Sequence, residues 1–472
     1  MTQAPLMKPS PNPAFDWKRW PETEQFVDQL ITKGLSSHAF AAQLAERMRV
    51  ETSTRFQDWV DHLVVTGPDS LPTRLIELGF ERETEPYEHN VPVFAHLGGM
   101  FPRVAVQPER TQSLATRVMA IKVESIADFS RATNQGLEVR GDPLSPYRVG
   151  RIPGEKVHLD IVERAAYRGF DCYPGALARQ GRMRPQAARD ALAARDLWRG
   201  RKRRFAEDAE GFDATDALLD RVIETAGSSD LACHLIFDVE RDYWQSRNRA
   251  AQVQKQRQDR LGLGWANHDH HTFRCSRQFF PRTIDMFERL GFHLRERYHA
   301  GEHAGWGAQI LEHPTTGIVI FADLDLAPEE ATHDFAHSAL PNLDRPNTVG
   351  LWVALHGESI LDAGMHHLEA QFDFDALKEA LKSEAGIEVM APFSNFPFLR
   401  QAFTAGERWP VNPQRADRCL KQGWISADQH AKFLADGALG SHLENLQRRD
   451  GYKGFNQQSV SAIIAATDPR LH

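Results

Sequence analysis

Histidine stands out in this chain, at 21 of 472 positions, many of them clustered. His268, His270 and His271 share one stretch, His333 and His337 a second, His366 and His367 a third. Imidazole is the commonest protein ligand for metals, so the clusters direct attention to a metal site. His270 lies in NHDHHTFR, His367 in MHHLEAQ and Glu444 in SHLENLQRR, each a strand-like pattern. Two imidazoles and one carboxylate on three strands lining one cavity form a facial triad. On an octahedral metal that set leaves adjacent positions open, so that Fe(II) can hold a chelating substrate and O₂ together. His268 competes with His270, because residues i and i+2 of a strand share a face, and His366 competes with His367. Glu312 in QILEHP is the alternative carboxylate. His333 and His337, at i,i+4 spacing in ATHDFAH, are a candidate zinc pair with no third ligand nearby. Arg274 follows His270 by four residues, so alternation puts both on one face, where the guanidinium meets a substrate carboxylate or serves a structural ion pair.

Composition bounds what surrounds these residues. With 41% hydrophobic and 25% charged residues the chain reads as an ordinary soluble protein. At about 100–200 residues per domain its length suggests two to four compact units. No apolar run approaches the roughly 18 residues that cross a bilayer, which argues against a membrane partner. The first residues, MTQAPLMKPSPNPAF, lack the apolar stretch of a secretory signal. Cys172, Cys233, Cys275 and Cys419 lie far apart with no CxxC pair, which disfavours a disulfide framework and a thiolate zinc site and predicts a reducing, cytoplasmic setting. The net charge of −8 disfavours a nucleic-acid partner. The basic run Arg199 to Arg204, with acids close behind and no interleaved aromatics, reads as a solvated helix face. The Leu261-Gly-Leu-Gly run lacks both a preceding strand and the third glycine of a nucleotide fingerprint.

Periodicity then divides the chain. Residues 1–110 read as a mainly helical N-terminal segment: ETEQFVDQLITKGL and SSHAFAAQLAERMRV carry apolar residues at helical spacing, a further start is visible at ETSTRFQDWVDHLVV, and VPVFAHLGGMFPRVAV alternates like a strand pair. Residues 111–175 read as a degenerate βαβββ unit, and 176–262 as a charged helical insertion. Residues 263–345 form a βαβββ unit carrying the first metal histidine. Residues 346–472 form another, carrying the second histidine and the glutamate and ending in a helix at QQSVSAIIAA. VMAIKVESIADFSRA, NHDHHTF followed by RTIDMFERLGF, and MHHLEAQFDFDALKEALKSEAGI each give strand, turn and amphipathic helix, a recurrence that indicates a repeated unit. The fold class expected is α+β, with repeated βαβββ units forming curled sheets around a metal cavity.

Asp269-His270-His271, Met365-His366-His367-Leu368 and Glu444-Asn445-Leu446-Gln447-Arg448, followed by Gly454-Phe455, resemble the ligand strands of the vicinal-oxygen-chelate superfamily, specifically its 4-hydroxyphenylpyruvate dioxygenase-like enzymes. The resemblance covers roughly residues 260–465. It implies His270, His367 and Glu444 as metal ligands and Fe(II) as cofactor. It also implies Gln401, from the Leu399 to Thr404 strand, and Phe455 as substrate contacts. The partners implied are a small 2-oxo acid and O₂, the reaction a decarboxylating dioxygenation, with association into a homo-oligomer left open. The connection from Thr404 to Glu444 is longer than the family's, and the loop after Phe455 departs from its glycine-rich pattern, so the substrate's side chain is expected to differ. A weaker resemblance joins Asn267 to Arg274 and Val118 to Lys122 with 2-oxoadipate dioxygenase/decarboxylases, with Val118 standing where a ligand histidine would be. Two other readings remain: a non-redox, metal-dependent lyase or isomerase of the same superfamily, and a non-catalytic small-ligand-binding protein.

Overall fold

A computed structural model describes residues 17–111, 113–172, 178–179, 182–300, 305–456 and 468–471. The helix expected at QQSVSAIIAA lies outside them. The chain opens with two helices, α1 (Pro21–Ser36) and α2 (Ala39–Arg47). From Val60 onward the expected helical segment gives way to strands: β1 (Val60–Gly67), helix α3 (Leu71–Glu77), then β2 (Glu81–Arg82), β3 (Val93–Ala95) and β4 (Arg103–Arg110). This is a βαβββ unit that the periodicity of the sequence hid. The run Leu63-Val64-Val65-Thr66 is wholly buried, its apolar residues lying on both faces of a central strand rather than on one side of a helix.

The next unit comprises β5 (Ala115–Lys122), α4 (Ile126–Thr133), β6 (Val139–Arg140), β7 (Tyr147–Ile152) and β8 (His158–Arg164). Ser125 starts α4 by accepting the Asp128 amide, and Asn134 ends it in the left-handed conformation. The two units share one eight-stranded sheet, ordered β2-β3-β4-β1-β5-β8-β7-β6, with β1 and β5 antiparallel at its centre. After a short hairpin of β9 (Ala178–Arg179) and β10 (Arg182–Met183) come α5 (Pro185–Arg199), α6 (Asp208–Ala226), α7 (Ser229–Gln245) and α8 (Arg249–Asp259).

The second sheet repeats the plan. One unit is β11 (His268–Arg274), α9 (Phe280–Arg289), β12 (His293–His299), β13 (Trp306–Glu312) and β14 (Val319–Asp325). Helix α10 (Thr348–His356) leads to the other, β15 (His367–Gln371), α11 (Phe374–Ala385), β16 (Ser394–Phe396) and β17 (Leu399–Phe403), closed by β19 (Ala438–Arg448). Between β17 and β19 lie β18 (Glu407–Trp409), α12 (Pro413–Lys421) and α13 (Ala427–Asp436), which fill the long connection noted in the sequence. The strand order β12-β13-β14-β11-β15-β19-β17-β16 matches the first sheet strand for strand. The protein is thus α+β, built of paired βαβββ units whose sheets curl.

Buried apolar clusters pack the helices against the outer faces of both sheets. The inner face of the first is filled by Val64, Val118, Tyr147 and Phe170 among others. Around the inner face of the second cluster Tyr298, Trp306, Phe321, Phe393 and Phe403, leaving polar side chains between them.

Candidate metal centre

β11, β15 and β19 run side by side through the middle of the second sheet, and each contributes one donor to its inner face. Ligand atoms of His270, His367 and Glu444 all lie within 4.8 Å of one another. His367 Nε2 stands 3.0 Å from Glu444 Oε2 and 2.9 Å from Thr272 Oγ1. Gly364, at φ 73°, turns the chain into this segment, and a Cβ there would meet the Tyr243 ring at 2.7 Å. The His366 amide then donates to Thr272 O at 2.8 Å, fixing the approach to β15.

A shell of carboxylates orients the donors. His270 Nδ1 faces Glu369 Oε2 at 2.5 Å and Asp269 Oδ1 at 3.3 Å, leaving Nε2 as its free ligand atom. Asp269 is held by Arg448, whose Nε and Nη2 each donate to it at 3.0 Å. Gln401 Nε2 donates to Glu369 Oε1 at 3.0 Å and to Glu444 Oε1 at 3.1 Å. Burial pushes the pKa values of both His270 and His367 down, so the imidazoles are neutral and can donate a lone pair. Burial also raises the Glu444 carboxyl to about 7, against the pull of His270. Two neutral imidazoles and a buried carboxylate with a vacant lone pair fit a divalent transition metal.

The cavity over these donors is about 50 Å³. Arg274, Gln401 and Phe455 line it together with the three donors. Arg274 is buried, and its Nε has no hydrogen-bond partner among the described residues. Burial brings its pKa down to about 10, still well above neutrality. Its nearest acid in the cavity, Asp323, is pushed up to about 8 by burial, so at neutral pH it keeps its proton. Among the described residues Arg274 makes no ion pair within contact distance, although the charges of Asp325 and Asp468 are near enough to support its own. Phe455 packs edge-on against His270 and Phe321, with ring centroids 5.2 and 4.5 Å away.

The competing residues are elsewhere. A bulge in β11 between His268 and His270 breaks strict alternation, so His268 packs on His271, their centroids 5.1 Å apart, on the opposite face of the sheet. His366 points its Nδ1 at His367 Nδ1, 2.8 Å away, and its ring against Trp352. Glu312 pairs with Lys453 at 2.9 Å, outside the metal cavity. His333 and His337 do not share a helix: His333 is extended, and His337 pairs with Asp334 and Glu288. Sequence reasoning overlooked Glu369 and His442, which sit two residues from His367 and Glu444 on the same strands. His442 stacks on His367 at 4.8 Å, and His366, His367 and His442 form a second set of neighbouring donors.

Register locates the corresponding positions of the first sheet. His62 pairs with Ala120 as His270 pairs with Glu369, and Ala120 faces Asp160 as Glu369 faces Glu444. The counterparts of the three donors are therefore His62, Val118 and Asp160. Val118 lies in the apolar filling, and Asp160 is taken by Arg151 through two contacts of 2.7 Å. What both sheets retain is the aspartate–arginine clasp, Asp61 with Arg164 and Asp269 with Arg448.

No protein-family model and no curated protein matches the sequence. Among solved structures, a mutant of 4-hydroxymandelate synthase from Streptomyces coelicolor is similar at 13% identity and a TM-score of 0.26, over 88% of this chain and 100% of that one. A protein described as of the glyoxalase superfamily, from Ralstonia eutropha JMP134, is similar at 13% identity and a TM-score of 0.33, over 58% and 100%. Methylmalonyl-CoA epimerase from Mycobacterium tuberculosis is similar at 14% identity and a TM-score of 0.23, over 39% and 89%. Both sheets of this protein share one paired βαβββ plan, and the three donors lie in the second pair of units. No helix among the described residues is long and apolar enough to cross a membrane.

Proposed function

We propose that the protein is a non-haem Fe(II) dioxygenase that decarboxylates a small 2-oxo acid. The observation that carries this reading is the meeting of His270, His367 and Glu444 on one inner sheet face, beside an arginine with no carboxylate in direct contact. Iron bound there would supply adjacent positions for a chelating 2-oxo acid and O₂, and the electrons for oxygen activation. The chain's own residues supply the rest. Glu369 and Asp269 hold the proton on His270 Nδ1 and so keep Nε2 free. Gln401 fixes the two glutamates relative to each other. Arg274 receives a carboxylate of the substrate, and Phe321, Phe403 and Phe455 exclude water.

The test is anaerobic loading with Fe(II), then a panel of 2-oxo acids scored for oxygen uptake and CO₂ release in equal amounts. Coupled uptake and release with one acid supports the proposal, and their absence across the panel overturns it. A second reading, a non-redox lyase or isomerase, draws support from Glu369. This buried carboxyl, raised in pKa by burial and by Glu444, sits next to the donors where a proton-transfer base would be needed. Under that reading zinc or nickel sustains turnover without oxygen.

A further inference from the structure

The bulge that turns His270 into the metal cavity turns His268 and His271 to the other face of β11, where they meet helix α7. Arg241 Nη1 stands 3.3 Å from His271 Nε2. Opposite them β5 ends at Lys122. Lys122, His234, Arg241 and His268 line a cavity of about 460 Å³ between the first sheet, the helical insertion and β11, within the size range of small-molecule sites. It shares no lining residue with the metal cavity.

Acids in the wall of this cavity are already engaged. Asp238 is held by Arg241 and stands 3.4 Å from His234. Glu163 pairs with Arg148 at 2.9 Å, Glu124 with Lys255 at 3.4 Å, Asp242 with Arg199 at 3.4 Å and Asp128 with Arg131 at 2.5 Å. Asp61, nearby, receives two bonds from Arg164 at 2.7 and 2.9 Å. Among the described residues the Lys122 ammonium has neither a hydrogen bond nor an ion pair within contact distance, and the buried Nδ1 of His268 has no partner. Lys122 is partly buried, and burial lowers its pKa against the pull of Asp61 and Asp238, whose charges are already shared with Arg164 and Arg241. A bound anion would remove that penalty and satisfy the orphaned imidazole.

We propose that this cavity binds a small, multiply charged oxyanion of phosphate or carboxylate type, held by Lys122 and surrounded by N–H donors from His268, His234 and Arg241. The inference is independent of the metal chemistry. The experiment is isothermal titration of the full chain with inorganic phosphate and, separately, with succinate. At least one should bind once per chain. Lys122→Met should weaken that binding roughly tenfold or more, the scale of one lost charge-assisted hydrogen bond. Lys122→Arg should largely preserve it, and Arg274→Met, in the metal cavity, should leave it unchanged. His234→Asn, on the opposite wall, carries the same expected weakening should Lys122→Met fail to fold. Absence of saturable binding by both anions, indifference to the Lys122 and His234 substitutions, or loss on Arg274→Met instead would each overturn the proposal.

Discussion

His367 is the donor with the most at stake, since it touches Glu444, Thr272 and His366 and belongs to two of the three sets of neighbouring donors among the described residues. Removing it should abolish metal binding: His367→Ala is expected to lower bound iron from about one per chain to near zero by elemental analysis, while far-ultraviolet dichroism stays native, since loss of any one of three protein ligands leaves an open site too weak to hold the ion. Arg274 plays a different part. Arg274→Met should keep the metal, yet raise KM for the preferred acid by roughly tenfold or more with kcat less affected, as expected when a charge-assisted contact to the substrate is deleted. The three expected donors and the expected substrate contacts Arg274, Gln401 and Phe455 line one cavity. Gln401 and Phe455 came only through the resemblance, whereas the donors were legible as histidines and a carboxylate in strand-like patterns and Arg274 by alternation from His270. The position of His268 was not, because a bulge changes which side chains share a face and leaves no mark in the pattern of residue types. Glu369 and His442 were within reach of simple alternation from His367 and Glu444.

Among the elements, the helical insertion shows how buried charge organises packing. Glu240 on α7 accepts from Trp198, Arg201 and Arg203, joining α5 and the segment after it to α7. Burial opposes its ionisation, but Arg203 and Arg201 overcome this and bring its pKa down to about 2. A depressed carboxylate pKa stabilises the fold above the unfolded value, near 4.5, and that stability drains away as pH falls toward 2. Urea unfolding followed by tryptophan fluorescence should therefore show stability falling across that window. Glu240→Gln should flatten the fall and cost about 3–5 kcal/mol at neutral pH, because Arg201 and Arg203 would be left as buried charges. Elements with an amphipathic helix and a cap, such as α4 and α11, could be read from the sequence. β1 could not, since a strand buried on both faces carries no alternation.

At the scale of the molecule, the chain is two sheets of one design with unequal interiors. Valine at 118 and the capture of Asp160 by Arg151 leave His62 without two fellow donors; its Nδ1 meets Asp61 at 2.7 Å and its ring packs against Tyr87 and Phe170 at 5.4 and 5.0 Å. Iron stoichiometry should accordingly be one per chain, and His62→Ala should leave that ratio unchanged when measured beside a thermal melt. The duplication itself was mostly visible: three of the four unit openings could be aligned, and the fourth was hidden because β1, buried on both faces, shows no alternation.

Arg448 donates at once to Asp269, which steadies His270, and to the carbonyls of Tyr452 and Gly454, the residues that lead into Phe455. The aromatic wall that an incoming molecule must displace and the imidazole that grips the ion therefore hang from a single guanidinium. If filling one place alters affinity at the other, reciprocity makes the factor equal in both directions, so a small acid that tightens the protein's hold on a metal would itself bind more tightly once the metal is in place.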